Sequence, residues 1–169
     1  MNKNIFTYLL PFLIFISCAS KDEKLQNYKN YVQEISTAIK YEDGFNTIKV
    51  IKEKRSIFRS YFLNDELVFI NEDMNIGNWG TAANGYYYKN NELIYYTENS
   101  IFRIIDSTKK MDKYHIKGSV YFDGSEILEA ERTKSNGSIE YTQEDVKEII
   151  EHSILLRELA KKNRPRKSE

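Results

Sequence analysis

Few residues in this chain are of types that carry chemistry by themselves. Cys18 is the only cysteine, and His115 and His152 are the only histidines. One thiol excludes an intramolecular disulfide, a CxxC redox pair and a zinc site built on several thiolates. His115 lies in Tyr114-His115-Ile116-Lys117, a strand-like stretch, and His152 in a helix-like stretch with no acidic or histidine neighbour at the spacing of HExxH. Both are expected to be structural or at the surface. No GxSxG elbow surrounds any serine. Glu42-Asp43 and Glu72-Asp73 are pairs of a type that can work as acid and base, but they sit beside expected turns, where solvated carboxylates are ordinary. Asn71, Asp73 and Asn75 alternate somewhat as calcium ligands do, without the glycine and terminal glutamate of an EF-hand in register. No catalytic set, resident metal or cofactor is therefore expected, and a hydrolase ranks third among the readings below.

The one cysteine is better placed for modification than for catalysis. Lys3 gives a positive start, Ile5 to Ile16 forms a short apolar run, and Ser17 supplies a small residue just before Cys18. Spanning a bilayer takes about 20 apolar residues, and here Lys21, Asp22 and Glu23 follow at once. Residues 1–17 therefore read as a secretory signal peptide. Phe15-Ile16-Ser17-Cys18 resembles the lipobox of bacterial lipoproteins, with Phe15 where leucine is usual. That resemblance implies a Cys18 acylated on its thiol as the new N-terminus, residues 18–24 as a lipidated tether, and membrane attachment through the lipid. Ala19 stands where many Gram-negative lipoproteins retained at the inner membrane carry Asp, so the outer membrane is implied. Lys21-Asp22-Glu23 is similar to the Lys-acidic-acidic export signal of some surface-displayed lipoproteins; a plain solvated tether would look the same.

With 25 basic and 25 acidic residues in 169, the chain carries no net charge. Removing Lys3 with the signal leaves 24 against 25, so no electrostatic pull toward nucleic acid exists. The length suits one folded unit, residues 25–163, followed by a polar basic tail at 164–169.

The elements that must position any site are legible from periodicity. Leu25, Tyr28, Val32, Ile35 and Ile39 share one helical face from about Lys24 to Tyr41. From Phe45 to Tyr141 the pattern changes to short aromatic and β-branched runs broken by Asn, Asp and Gly. Thr142 and Asp145 then form a capping box, before Val146, Ile149, Ile150, Ile154 and Leu156 mark a second helix. The fold class expected is α+β: an antiparallel sheet of hairpins in a meander, flanked by an N-terminal and a C-terminal amphipathic helix. Within the sheet, Tyr61 to Val68, Tyr87 to Ile94 and Tyr121 to Leu128 repeat an aromatic pair, a turn, a Glu and an aliphatic pair. The repeat is similar to the aromatic-x-Asn-Gly-x-Leu units of MORN-type antitoxin-like proteins, and no function is carried across from them. If the units are matching hairpins, Leu67, Leu93 and Ile127 face a helix-covered side while Glu66, Glu92 and Glu126 face away from it.

Candidate binding residues come from the remaining aromatics. Asn71 to Gly85 is the longest stretch without periodicity and holds the only tryptophan, Trp79. Trp79 either anchors a partner or folds back as a plug on the sheet, and burial of so large a side chain favours the plug. Tyr86, Tyr87, Tyr88, Tyr95 and Tyr96 must divide between the two sheet faces. One face is expected to be core against the helices and the other an aromatic platform for a protein or glycan, with Trp79, Tyr86 and Tyr88 as contact residues. The function expected is a non-enzymatic binding or structural lipoprotein of the cell envelope. The alternative is an inhibitor or immunity-type factor acting through the Trp79 loop.

Overall fold

The computed structural model describes residues 20–41, 47–53, 56–105, 111–135 and 137–163. Residues 1–17, Cys18 and the 164–169 tail lie outside the described residues. Helix α1 (Lys21–Tyr41) precedes strands β1 (Thr47–Glu53), β2 (Ser56–Leu63), β3 (Glu66–Asn75), β4 (Gly80–Lys89), β5 (Glu92–Ile105), β6 (Met111–Asp123), β7 (Glu126–Lys134) and β8 (Gly137–Ser138), and helix α2 (Gln143–Lys162) follows. The strands form one sheet in sequence order, and every neighbouring pair is antiparallel. This is the expected α+β meander with a helix from each end of the chain.

The three repeats are three hairpins of one design. Asn64-Asp65 and Asn90-Asn91 have positive φ at both central positions, as a type I′ turn demands. Gly124 alone has positive φ in the third turn, where the φ of a II′ turn is met by glycine without strain. Each hairpin then slips by one residue at the same place. Tyr61 faces Phe69 but Phe62 faces Leu67; Tyr87 faces Tyr95 but Tyr88 faces Leu93; Tyr121 faces Glu129 but Phe122 faces Ile127. The second member of each aliphatic pair, Val68, Ile94 or Leu128, is the extra residue of a β-bulge.

The bulge decides which side each residue meets. Strict alternation from Leu67 would send Phe69 to the same face as Leu67, yet Val68 and Phe69 both join the cluster under α1, and Ile70 returns to the other face. The result is a row of rings across five strands, Tyr61, Phe69, Tyr87, Tyr95 and Tyr121, with successive centroids 5.5, 4.5, 5.4 and 4.1 Å apart. Cross-strand aromatic pairs of this kind are the unit of sheet stabilisation. Val32 and Ile35 of α1 pack on that row. Phe58, Phe62, Ile70, Tyr86, Tyr88, Val120 and Phe122 point the other way and pack with Leu156 and Ala160 of α2.

The helices therefore lie on opposite faces, which corrects the expectation of one core face and one aromatic platform. Both faces of the turn end carry too many aromatic rings for either to be left in water. Leu67 and Leu93 are buried on the α2 side and Ile127 is half-buried there, while Glu66, Glu92 and Glu126 are exposed toward α1. Residues 21–24, expected as part of a tether, are helical instead. Ser20 caps α1, its hydroxyl and carbonyl oxygens accepting from the amides of Glu23 and Lys24, and Asp22 and Glu23 suit the positive end of the helix. Lys21 and Lys24 reach Glu126 and Asp123 of the β6–β7 hairpin at 2.8 and 2.6 Å, so residues 21–24 belong to the fold. Ile154 does not join the inner face of α2; it and Leu155 are exposed, and the small Ser153 and Ala160 take the inward positions.

Two cores on opposite faces with no shared side chain should respond independently to truncation. Ile35→Ala is expected to cost about 2–5 kcal/mol and Phe122→Ala about 3–5 kcal/mol, and the double variant should lie within about 0.5 kcal/mol of their sum. Equilibrium urea denaturation measures all three; strong coupling would contradict separate cores.

Candidate functional site

Chemistry-bearing side chains gather on the α2 face, in one cross-strand row. Pairing sets Glu72, Asn84, Glu98, Gly118 and Arg132 side by side on β3 to β7. Glu72 is 1% exposed. Its carboxylate accepts from the Tyr86 hydroxyl at 3.3 Å and bonds His152 Nε2 at 2.9 Å. That bond raises the His152 pKa above its ordinary value, against the opposing effect of burial. The Tyr96 hydroxyl donates to Asn84 at 3.2 Å. Burial pushes the Tyr86, Tyr88 and Tyr96 hydroxyls well above the ordinary tyrosine range, so all three stay protonated donors.

The other half of the row fastens the start of α2. Arg132 Nε lies 2.6 Å from Glu98 Oε1, and Nη1 lies 3.1 Å from Asp145. The strand between them contributes Gly118, and the missing side chain is what lets Arg132 reach across β6. A Cβ there would come within 2.2 Å of the Tyr141 hydroxyl and 2.9 Å of Glu98 Oε1. Tyr141 closes the space with its ring 4.6 Å from the Arg132 guanidinium carbon. Its buried hydroxyl makes no hydrogen bond of good geometry, and burial together with the nearby Glu98 charge raises its pKa. Asp145 completes the capping box with Thr142; burial opposes its charge, but the Thr142 bonds and Arg132 outweigh burial and hold its carboxyl below the usual range.

A histidine oriented by a buried carboxylate is half of an acid–base pair. Here its bonds run to Glu72, and its ring packs 6.0 Å from Tyr86, which makes it a clasp between α2 and the sheet. Glu72 corrects the expectation of a solvated carboxylate: Asn71 to Asn75 belong to β3, and alternation turns Glu72 inward while Asp73 stays exposed. The carboxylate that His152 bonds comes from a strand 80 residues away and not from Glu148 or Glu151 of its own helix. His115 is exposed on β6. Asn71 donates to Asp73 at 3.2 Å and Asn75 accepts from the Gly77 amide at 2.9 Å, and no metal-binding cluster is found among the described residues.

The expected contact residues separate. Tyr86 and Tyr88 are 2% and 1% exposed under α2, which removes them as partner contacts; the Tyr88 hydroxyl donates to the Ser153 carbonyl at 2.9 Å. Trp79 is 62% exposed, so it is no plug. Most of the stretch expected as a loop is strand, leaving only Ile76 and the 3-10 turn Gly77–Trp79 between β3 and β4. The Ile76 amide donates to the Gly80 carbonyl at 3.0 Å, and Gly80 holds φ 143°, where a Cβ would strike the Ile101 carbonyl. Tied at both ends, the turn cannot fold back onto the sheet. Beside it, among the described residues, no element covers the α1 face beyond the aromatic row: Ile57, Asp73, Asn75, Thr81 and Asn99 are exposed around a shallow cleft of about 410 Å³. Compared with protein-family models, characterised proteins and solved structures, the chain matches none.

The two halves of the row give two measurements. Gly118→Ala is expected to cost about 1–3 kcal/mol through overpacking. Tyr141→Phe, which removes an unpartnered hydroxyl, should be near neutral alone and should restore much of the loss in the double variant. For His152 the folded pKa is the higher one, so its contribution is complete below the unfolded value of 6.5 and is lost as pH rises through the folded value. Because the ring is 37% exposed, the effect is screened and small. Stability in the wild type should fall as pH rises from the unfolded value of 6.5 through the higher folded value, and His152→Gln should flatten that slope in chemical denaturation.

Proposed function

We propose that this chain is a lipid-anchored protein of the bacterial outer membrane that acts by binding a protein or glycan, without catalysis, through the Trp79 turn and the uncovered sheet beside it. The observation that carries the reading is the exposure of Trp79 on a turn tied at both ends. A rigid aromatic held in water is a poor use of apolar area unless a partner covers it, and tryptophan is enriched among residues that dominate binding energy. Position supports it too. Lys21 and Lys24 hold the start of α1 at the β6–β7 turn, whereas Trp79 joins β3 to β4 at the opposite end of the strands. Ten residues of β4 make that separation roughly 30 Å. An anchor at Cys18 would keep the hairpin turns near the membrane and direct Trp79 away from it.

The exposed, rigid turn equally favours a second reading, in which it inserts into the cleft of an enzyme as an inhibitor or immunity-type factor. Both readings need the same anchor and the same residue. Metabolic labelling with a fatty-acid analogue should tag the wild type and leave Cys18→Ala untagged; equal labelling would sink the anchor. For the partner, a photoreactive amino acid at Thr81 should give one dominant adduct in intact cells, and the same probe at Glu148 on α2 should not. Trp79→Ala should leave stability within about 0.5 kcal/mol yet reduce the Thr81 adduct at least tenfold, and an undiminished adduct would remove Trp79 from the site.

A further inference from the structure

We infer that the cleft between α2 and the β6–β7 hairpin shelters one acyl chain of the Cys18 anchor while the protein is out of the bilayer; the inference rests on the lipid-anchor reading. The cleft holds about 490 Å³, within the range of small-ligand sites, and Ile127, Tyr141, Val146 and Ile150 line it. All four pack against the α2-side core yet remain only half-buried. The α2 core is thus left unfinished at this edge, where an apolar chain would complete it.

Connectivity supplies the occupant. Cys18 lies two residues before Ser20, the cap of α1, so their Cα atoms are at most about 7 Å apart. The next residue, Lys21, binds Glu126 at 2.8 Å and the Ile127 carbonyl at 3.3 Å. The chain that carries the anchor is thereby held against the backbone of a residue whose side chain lines the cleft. β8 pairs only with Thr133 and Lys134, so among the described residues no strand covers the edge of β7 beside Glu126 and Ile127. An acyl chain gains little on moving from lipid tails into the cleft, because both are apolar, but it gains a great deal on leaving water. Occupancy is therefore expected in aqueous passage and not in the membrane.

The test uses full-length acylated protein from cells fed a diazirine-bearing fatty acid. After detergent removal and irradiation, adducts should map within the same molecule to Ile127 and to the α2 segment from Val146 to Ile150, in monomeric protein. Adding phosphatidylethanolamine–phosphatidylglycerol vesicles should move them to lipid. Val146→Trp, which fills the cleft with apolar atoms, should cut these adducts at least tenfold, while Ile154→Trp on the outward face of α2 should not. Ile150→Phe replaces V146W if circular dichroism shows that variant misfolded. Labelled protein whose adducts are scattered, intermolecular or indifferent to cleft filling would overturn the shelter and leave the anchor standing. Protein carrying no label at all would overturn the anchor, and the shelter with it.

Discussion

One extra residue in each of three hairpins governs how this sheet is used. A regular strand sends successive side chains to opposite faces, so an aromatic pair opposite an aliphatic pair would divide evenly. The bulges at Val68, Ile94 and Leu128 break that alternation at the same level, and the side chains beyond them change sides. Phe69 and Tyr95 thereby enter the row of rings that begins with Tyr61 and ends with Tyr121. The same slip leaves Phe62, Tyr88 and Phe122 opposite Leu67, Leu93 and Ile127 on the other side. Two apolar faces result, and each requires a helix.

The helices meet those faces by different means. α1 lies on the aromatic row, with the Ser36 hydroxyl 3.0 Å from that of Tyr87, the Tyr31 hydroxyl donating to the Tyr88 carbonyl, and lysines paired to acids at the rim. Those rim pairs are more than a third exposed and contribute little to stability. α2 is fastened by buried polar groups at both halves of one cross-strand row, through His152 to Glu72 and through Arg132 to Glu98 and Asp145. A buried carboxylate without its partner costs far more than the pair contributes, so these contacts fix where α2 sits more than they add stability.

That division bears on function. Side chains with the makings of a site, including a histidine beside a buried carboxylate and a cluster of tyrosine hydroxyls, are occupied in holding α2 to the sheet. What remains unsatisfied lies elsewhere: a tryptophan in water at one end of the strands and an unfinished apolar cleft near the other. A membrane-anchored binding module would be organised in this way, with its attachment and its contact surface at opposite ends.

The sequence by itself determined much of what depends on neighbours along the chain. Helical spacing marked α1 and α2, the Thr142–Asp145 box placed the start of α2, and Asn and Gly at turn positions marked the three hairpins. It even placed Leu67, Leu93 and Ile127 against Glu66, Glu92 and Glu126, because those lie within one residue of their turns. Only the tertiary structure decided what depends on register. A bulge leaves no distinct mark beyond a repeated aliphatic pair, so the face met by Phe69 or Tyr95 could not be counted from the turn. Glu72 looked solvated because its partner lies 80 residues away, and Arg132, Gly118 and Glu98 form a unit only after β5, β6 and β7 are in register. Trp79 looked like a plug because burial is the usual end of a large ring; the tied turn on which it stands left it in water.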